Sequence, residues 1–209
     1  MKVSGYLARQ FARPSGWVGK HIIGPWLVRT NRLSNDAVFN QLDLQPDWQV
    51  AEIGFGGGEL LSRMAGMIQT GRVFGIDPST ELIARFQNRH ASQTCRGRIE
   101  LKQGTAELLP LGEQSMNLLV SVNTIYFWSS LETCLGECVR VLKPRGYLVL
   151  GFSDGQLLSD SGYTAHGYRT WSLEDVSGAL ASAGFSVVSV VTLPRGNRGD
   201  FFVLKGQAA

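Results

Sequence analysis

From about residue 42 onward, short apolar runs alternate with stretches whose apolar positions recur roughly every 3.6 residues. Residues 48–53 read as a strand running into a glycine turn. Residues 59–68 read as the helix that follows, with Leu60, Leu61, Met64, Met67 and Ile68 on one face. Residues 72–77 form a second strand, and Pro78 suits the start of a helix that reaches about His90. Residues 98–102 alternate like a third strand. Residues 116–122 are almost continuously apolar, as a parallel strand buried on both faces requires. A helix over residues 131–142 stops at Lys143-Pro144, because proline disfavours helical geometry in the residue before it. Arg145-Gly146 then turns the chain into a fifth strand over residues 147–150. Ser172 is placed to cap a helix over residues 172–183, with Asp175 three residues on as in a capping box. Two strands, 185–193 and 200–205, follow with only a turn-forming loop between them, which predicts an antiparallel hairpin. Five strand–helix repeats closed by a hairpin imply a parallel α/β sheet with helices on both faces.

Composition changes this picture little. The 209 residues are 44% hydrophobic and 18% charged, ordinary values for a globular chain with a sizeable core. Charge placement says more. Residues 1–35 contain Lys2, Arg9, Arg13, Lys20, Arg29 and Arg32 and no acid, so this segment carries +6 of a net +3 and the remainder is −3. The N-terminus lacks a continuous apolar h-region, and the apolar stretch 22–28 is broken by Gly24-Pro25 and is far shorter than the ~20 residues of a membrane span. A cytoplasmic location is therefore expected. Cys95, Cys134 and Cys138 are odd in number and form no CxxC, so neither a disulfide framework nor a metal site is expected. Cys134 and Cys138 share a helix face and read as packing residues.

The chemistry concentrates at the carboxyl end of the first strand, where α/β sheets bind ligands. The turn reads Glu52-Ile53-Gly54-Phe55-Gly56-Gly57-Gly58. A dinucleotide fingerprint starting at Gly54 needs glycine at position 59, which is Glu59, and a carboxylate there repels a pyrophosphate. No GK[ST] follows, so a P-loop is excluded as well. The second strand ends in Asp77, 19 residues beyond Gly58. Next come Gly104-Thr105-Ala106-Glu107-Leu108-Leu109-Pro110 and Val141-Leu142-Lys143-Pro144-Arg145-Gly146.

In this order, the four motifs resemble those of the class I S-adenosylmethionine-dependent methyltransferases, over about residues 42–205, and the small-molecule (type 11-like) members in particular. The resemblance implies a Rossmann-like seven-stranded, mostly parallel sheet with an antiparallel last strand. It implies S-adenosylmethionine as cofactor. Gly54, Phe55, Gly56 and Gly58 would pack on its methionine part, and Glu52 would organise the amino group. Asp77, followed by Pro78, would accept the ribose hydroxyls. Gly104, Thr105, Ala106 and Glu107 would form the adenine turn. Asn123, in the loop that the fourth strand delivers to the active site, would also bind the cofactor. Three positions depart from the family pattern: Thr105 and Asn117 stand where aspartate is usual, and Arg145 where glycine is.

The resemblance also implies that residues 1–40 form a helical lid or extension on a methyltransferase domain of residues 41–209. A weak membrane-surface contact through residues 1–33 is the competing use of that segment. The acceptor is expected to be a small molecule. Amide- and adenine-methylating members carry an (N/D)PP(Y/F) motif, whereas this chain has Asn123-Thr124-Ile125-Tyr126, and no RNA-binding module is appended. A protein or RNA acceptor met by the basic segment, or a binding protein without catalysis, are the alternatives. Phe55, Tyr126, Phe127 and Trp128 are candidates to line the methyl channel. Arg13, Arg195 and Arg198 are candidates to meet an anionic acceptor, and His166, among Tyr163, Tyr168 and Trp171, is a candidate base. No catalytic base is assigned.

Overall fold

The computed structural model describes residues 24–90, 97–155, 169–196 and 199–209, and for residues 24–30 it describes the backbone. Helix α1 (Gly24–Phe39) is followed by β1 (Gln49–Ile53), α2 (Glu59–Met67), β2 (Arg72–Asp77), α3 (Thr80–Arg89), β3 (Ile99–Gln103) and β4 (Met116–Val122). A 3-10 turn (Ile125–Phe127), α4 (Leu131–Val141), β5 (Leu142–Ser153), α5 (Leu173–Ser182), β6 (Phe185–Pro194) and β7 (Asp200–Ala208) complete the order.

The seven strands form one sheet in the order β3-β2-β1-β4-β5-β7-β6. Pairings from β3 through β5 are parallel, and β7 runs antiparallel to both β5 and β6. This is the architecture expected from the pattern. Strand order reverses between β1 and β4, so a crevice opens at their carboxyl ends. Because β6 runs in the same direction as β4 and β5, its carboxyl end reaches that edge too.

Alternation along the inner strands builds two core layers. Ile53, Ile76, Leu119, Leu148 and Leu150 pack beneath α4 and α5, with Leu135, Cys138, Val176 and Leu180. Val50, Val73, Leu118, Val120 and Val149 pack on the other face against Leu60, Leu61, Met64, Phe86 and Val38. Cys134 and Cys138 are buried free thiols, as their packing role requires. Cys95 lies outside the described residues.

Helix α4 ends one residue earlier than the sequence pattern indicates, at Val141. Leu142 already pairs with Met116, and the next register is Leu118 with Tyr147, so residues 143–146 bulge opposite Asn117 alone. Arg145 sits there at φ 63, a region that costs a non-glycine residue about 1–2 kcal/mol. Asn117 Oδ1 accepts from Gln49 N at 3.0 Å and from Lys143 Nζ at 2.9 Å. Both departures from the family pattern therefore lie at the amino-terminal edge of the parallel strands, away from the crevice.

Helix α1 lies on the α2 face of the sheet. Val38 fits where Gly151 of β5 has no side chain; a Cβ there would stand 2.5 Å from Val38 Cγ2. Arg63 pairs with Asp36 at 2.6 Å and covers the Phe39 ring at 4.1 Å. At the far end, β6 exposes Val187, Val188 and Val190, and Val188 falls in a bulge against β7.

Ser172 forms a complete capping box: its hydroxyl accepts from Asp175 N at 3.0 Å, and the Asp175 carboxylate accepts from Ser172 N at 2.8 Å. Ser172→Ala is expected to cost about 1 kcal/mol, read as a lowered midpoint in urea unfolding with an unchanged slope.

Candidate functional site

The glycine turn joins β1 to α2. Gly54, Gly56 and Gly58 have φ of 74°, 50° and 74°, the left-handed region that favours glycine. Two of them also avoid collisions. A Cβ on Gly54 would lie 2.5 Å from Thr124 Cγ2, and one on Gly58 would lie 2.1 Å from Phe86 Cε2. Gly56 has nothing within 4 Å of its Cβ direction, so its backbone is open to an approaching ligand.

Asp77 holds this turn. Its Oδ2 accepts from Gly56 N at 3.2 Å and its Oδ1 from Ser79 N at 2.9 Å. The carboxylate thus ties the end of β2 to the turn after β1. Ser79, not Asp77, caps α3, accepting from Leu82 N at 3.3 Å. Asp77 O also accepts from Gly104 N at 3.3 Å, which draws in the loop after β3.

Glu52 lies beneath the turn, buried, and among the described residues its Oε2 has no hydrogen-bond partner. Burial pushes its carboxyl well above the ordinary 4.5; the Leu61 backbone amide opposes this, and the charges of Asp77 and Glu59 add to the rise. Three carboxylates therefore converge on one open turn. Such a field disfavours a pyrophosphate and suits a cation that brings its own hydrogen-bond donors.

An open cavity of about 450 Å³ adjoins Asp77, lined by Pro78, Gln103, Gly104, Thr105, Leu108, Leu109 and Pro110. Leu108 is 74% exposed on its rim, a residue the sequence pattern did not single out. Ala106 is buried in the core beside it. Glu107 turns its carboxylate to Ser129 N at 2.8 Å. Burial raises that carboxyl, but hydrogen bonds from Ser129 outweigh it and hold it at about 2. The Glu107 side chain braces the turn expected to meet adenine and does not line the adjoining cavity.

The remaining expected residues divide. Phe55 is buried edge-on against Phe86 at 5.7 Å, so only its backbone reaches the turn. Trp128 is buried, and Phe127 is 47% exposed. Asn123 stands beyond β4 at φ 57. Its Nδ2 donates to Asn31 Oδ1 at 3.0 Å and Ser34 Oγ at 3.4 Å, both on α1. Tyr126 OH donates to Asn123 Oδ1 at 3.4 Å and accepts from Ser153 N at 2.5 Å. Arg195 Nη2 donates to Ser34 Oγ at 2.9 Å. Neither Asn31 nor Ser34 was singled out in the sequence, because no local pattern marks a helix residue that bonds to a loop about 90 positions away. His166, Tyr163, Tyr168, Arg13 and Arg198 lie outside the described residues. Among the described residues there is no cluster of metal-ligating side chains and no helix long and apolar enough to cross a membrane.

Residues 51–150 match the family model described as a methyltransferase domain. An uncharacterised methyltransferase of Bacillus subtilis, YdaC, is 27% identical over 60% of this chain and 67% of its own length. The ubiquinone/menaquinone biosynthesis C-methyltransferase of Rubrivivax gelatinosus is 33% identical over 52% of this chain and 41% of its length. The crystal structure of an S-adenosylmethionine-dependent methyltransferase of Thermotoga maritima, described as a possible histamine N-methyltransferase, superposes over 98% of this chain and all of that one, with a TM-score of 0.68 and 24% identity. The chain spans 35% to 67% of the length of the curated relatives it matches. The motifs and these matches support a class I S-adenosylmethionine-dependent methyltransferase domain in this chain. Its methyltransferase domain includes residues 51–150, and the cofactor of that domain is S-adenosylmethionine.

Two outcomes follow for the cofactor turn. Asp77→Ala is expected to weaken S-adenosylhomocysteine binding by more than about tenfold, through the loss of charge-assisted hydrogen bonds, measured by calorimetry. For Glu52, a folded-state pKa above the ordinary one means that folding favours the protonated form. That contribution is complete below the ordinary 4.5 and is lost as pH rises through the folded value. Glu52→Gln should therefore make the cofactor-free protein more stable than wild type above about pH 7 and about equal near pH 4, by urea unfolding, while weakening the cofactor.

Proposed function

We propose that this chain is a small-molecule methyltransferase, with the cofactor held at the carboxyl ends of β1 and β2 and the acceptor admitted between the loop after β4 and α1. The observation that carries the cofactor pose is the buried Glu52 Oε2, without a partner among the described residues, beneath a turn open at Gly56. An ammonium group supplies the missing donor. Asp77 is the acceptor for the ribose hydroxyls in this reading, and the cavity lined by Pro78, Gly104 and Thr105 beside it is the slot for the purine. Asn123, Glu107 and Ala106 act by shaping the loops around it.

When bound, S-adenosylmethionine supplies a methyl group on a sulfonium, a strong electrophile that needs no activation. The protein's part is to hold donor and acceptor in line and to exclude water, an effect worth roughly 7–11 kcal/mol in favourable cases. Helix α1 serves as the lid: Asn31 and Ser34 bond to Asn123, and Asn35 Nδ2 donates to Glu59 Oε2 at 3.4 Å. Tyr126 positions and does not abstract. Burial pushes its phenol up to about 12, so it keeps its proton and goes on donating to Asn123. A small-molecule acceptor is in keeping with the quinone-biosynthesis and possible histamine activities named for two relatives.

The test is a metabolite extract incubated with protein and isotopically labelled cofactor. Label in small molecules supports the reading; label confined to protein or RNA overturns it. Tyr126→Phe is expected to lower the rate without moving any pKa of the pH–rate profile between about pH 6 and 10. Loss of an ascending limb in that range, the rise in rate as a base deprotonates, would make Tyr126 the base after all.

A further inference from the structure

We propose that Glu137 and Arg140 of α4 are positioning residues for the cofactor: their ion pair holds the loop after β3 in the shape of the adenine slot before any nucleoside enters. This rests on the cofactor pose proposed above.

Between β3 and β4 the chain carries no helix or strand, apart from an isolated bridge between Thr105 and Leu108. Leu109 and Leu111 of this loop are nevertheless buried, and buried peptide groups need partners. They find them in two side chains that share one face of α4. Glu137 Oε2 accepts from Leu109 N at 2.9 Å. Arg140 Nη2 donates to Leu109 O at 3.1 Å, and its Nη1 to Leu111 O at 3.0 Å. The pair also fixes itself: Arg140 Nε donates to Glu137 Oε1 at 2.6 Å and Nη2 to Oε2 at 2.8 Å. One guanidinium plane thus meets a carboxylate on one side and two carbonyls on the other, which a lysine ammonium cannot reproduce. The hydrogen bond from Arg140 holds the Glu137 carboxyl below the ordinary 4.5, so the pair stays ionised at neutral pH.

The two carbonyls that Arg140 holds flank Pro110. Pro110 packs so closely on Gly104 that a Cβ there would lie 2.6 Å from Pro110 Cδ. Gly104 N in turn donates to Asp77 O at 3.3 Å. Gly104, Leu108, Leu109 and Pro110 all line the cavity beside Asp77. The loop is therefore tied at both ends of its cavity-lining stretch, to β2 through Gly104 and to α4 through the ion pair. Further along, Gln114 N donates to Arg140 O and Ser115 N to Val141 O, both at 2.9 Å, so the loop follows α4 to its end. A slot held in this way loses less conformational freedom when the nucleoside binds. Neither side chain lines the cavity, so both act through the loop.

The experiment measures binding of S-adenosylhomocysteine and of methylthioadenosine, the same nucleoside without the amino-acid end, by calorimetry. Arg140→Gln is expected to weaken both by a similar factor of about tenfold or more. Arg140→Lys should fall between that variant and wild type, keeping charge and losing the fork. Unchanged affinity for both ligands in Arg140→Gln, or a loss confined to S-adenosylhomocysteine, overturns the proposal and leaves the methyltransferase reading standing. No binding of S-adenosylhomocysteine by the wild-type protein overturns both. A second measurement does not depend on the folding of any variant. In the cofactor-free wild-type protein, hydrogen exchange of the peptide spanning residues 105–111 should already be about tenfold or more slower than in an unstructured chain. Exchange at the unstructured rate until S-adenosylhomocysteine is added overturns the proposal.

Discussion

The site depends on one carboxylate that joins two strand ends. Asp77 belongs to β2, yet its oxygens accept from Gly56 in the turn after β1 and from Ser79 at the start of α3. A turn rich in glycine has little conformational preference of its own, so something outside must hold it. Asp77 does so while its backbone carbonyl gathers the loop after β3. One residue thereby sets the spacing between the turn after β1, the start of α3 and the loop after β3. The same charge makes Glu52 harder to ionise. The cofactor-free site accordingly carries electrostatic strain, which a cationic ligand relieves.

Much of this was legible in the sequence because it is local or periodic. The glycine turn, the carboxylate ending β2 and the apolar runs each occupy consecutive positions, and their spacing follows from one strand and one helix. The bulge at residues 143–146 was half legible: proline stopped α4, but the pairing of Leu142 with Met116 depends on a neighbouring strand. The contacts that gather around the loop after β4 were the least legible. Arg195 and Ser34 are 161 positions apart, and a hydrogen bond between such residues leaves no pattern in either segment. Burial also redirects types that look functional. Phe55 sits inside the glycine motif, yet its ring belongs to the core with Phe86.

On the proposed reading, helix α1 is what turns a shared cofactor fold into a particular acceptor site. The strands and the glycine turn are constrained by close packing, Gly54 against Thr124 and Gly58 against Phe86, whereas Asn31, Ser34 and Asn35 are constrained by single polar contacts. Substitutions on α1 can therefore change the shape of the mouth without disturbing the sheet. The surface ion pair between Arg63 and Asp36 adds little energy in water, so the docking of α1 rests mainly on Val38 against Gly151 and on the polar contacts at Asn123.

The placement of β7 between β5 and β6 has a consequence for assembly. Strand β6 precedes β7 in the chain but has no place in the sheet until β7 has docked on β5. During synthesis, before residues 200–208 emerge, the chain therefore holds two unpaired edges, that of β5 and all of β6 with its exposed valines. Residues 200–208 close both at once. They act as the keystone of the sheet, and the interval before they emerge is the period of greatest exposure to intermolecular pairing.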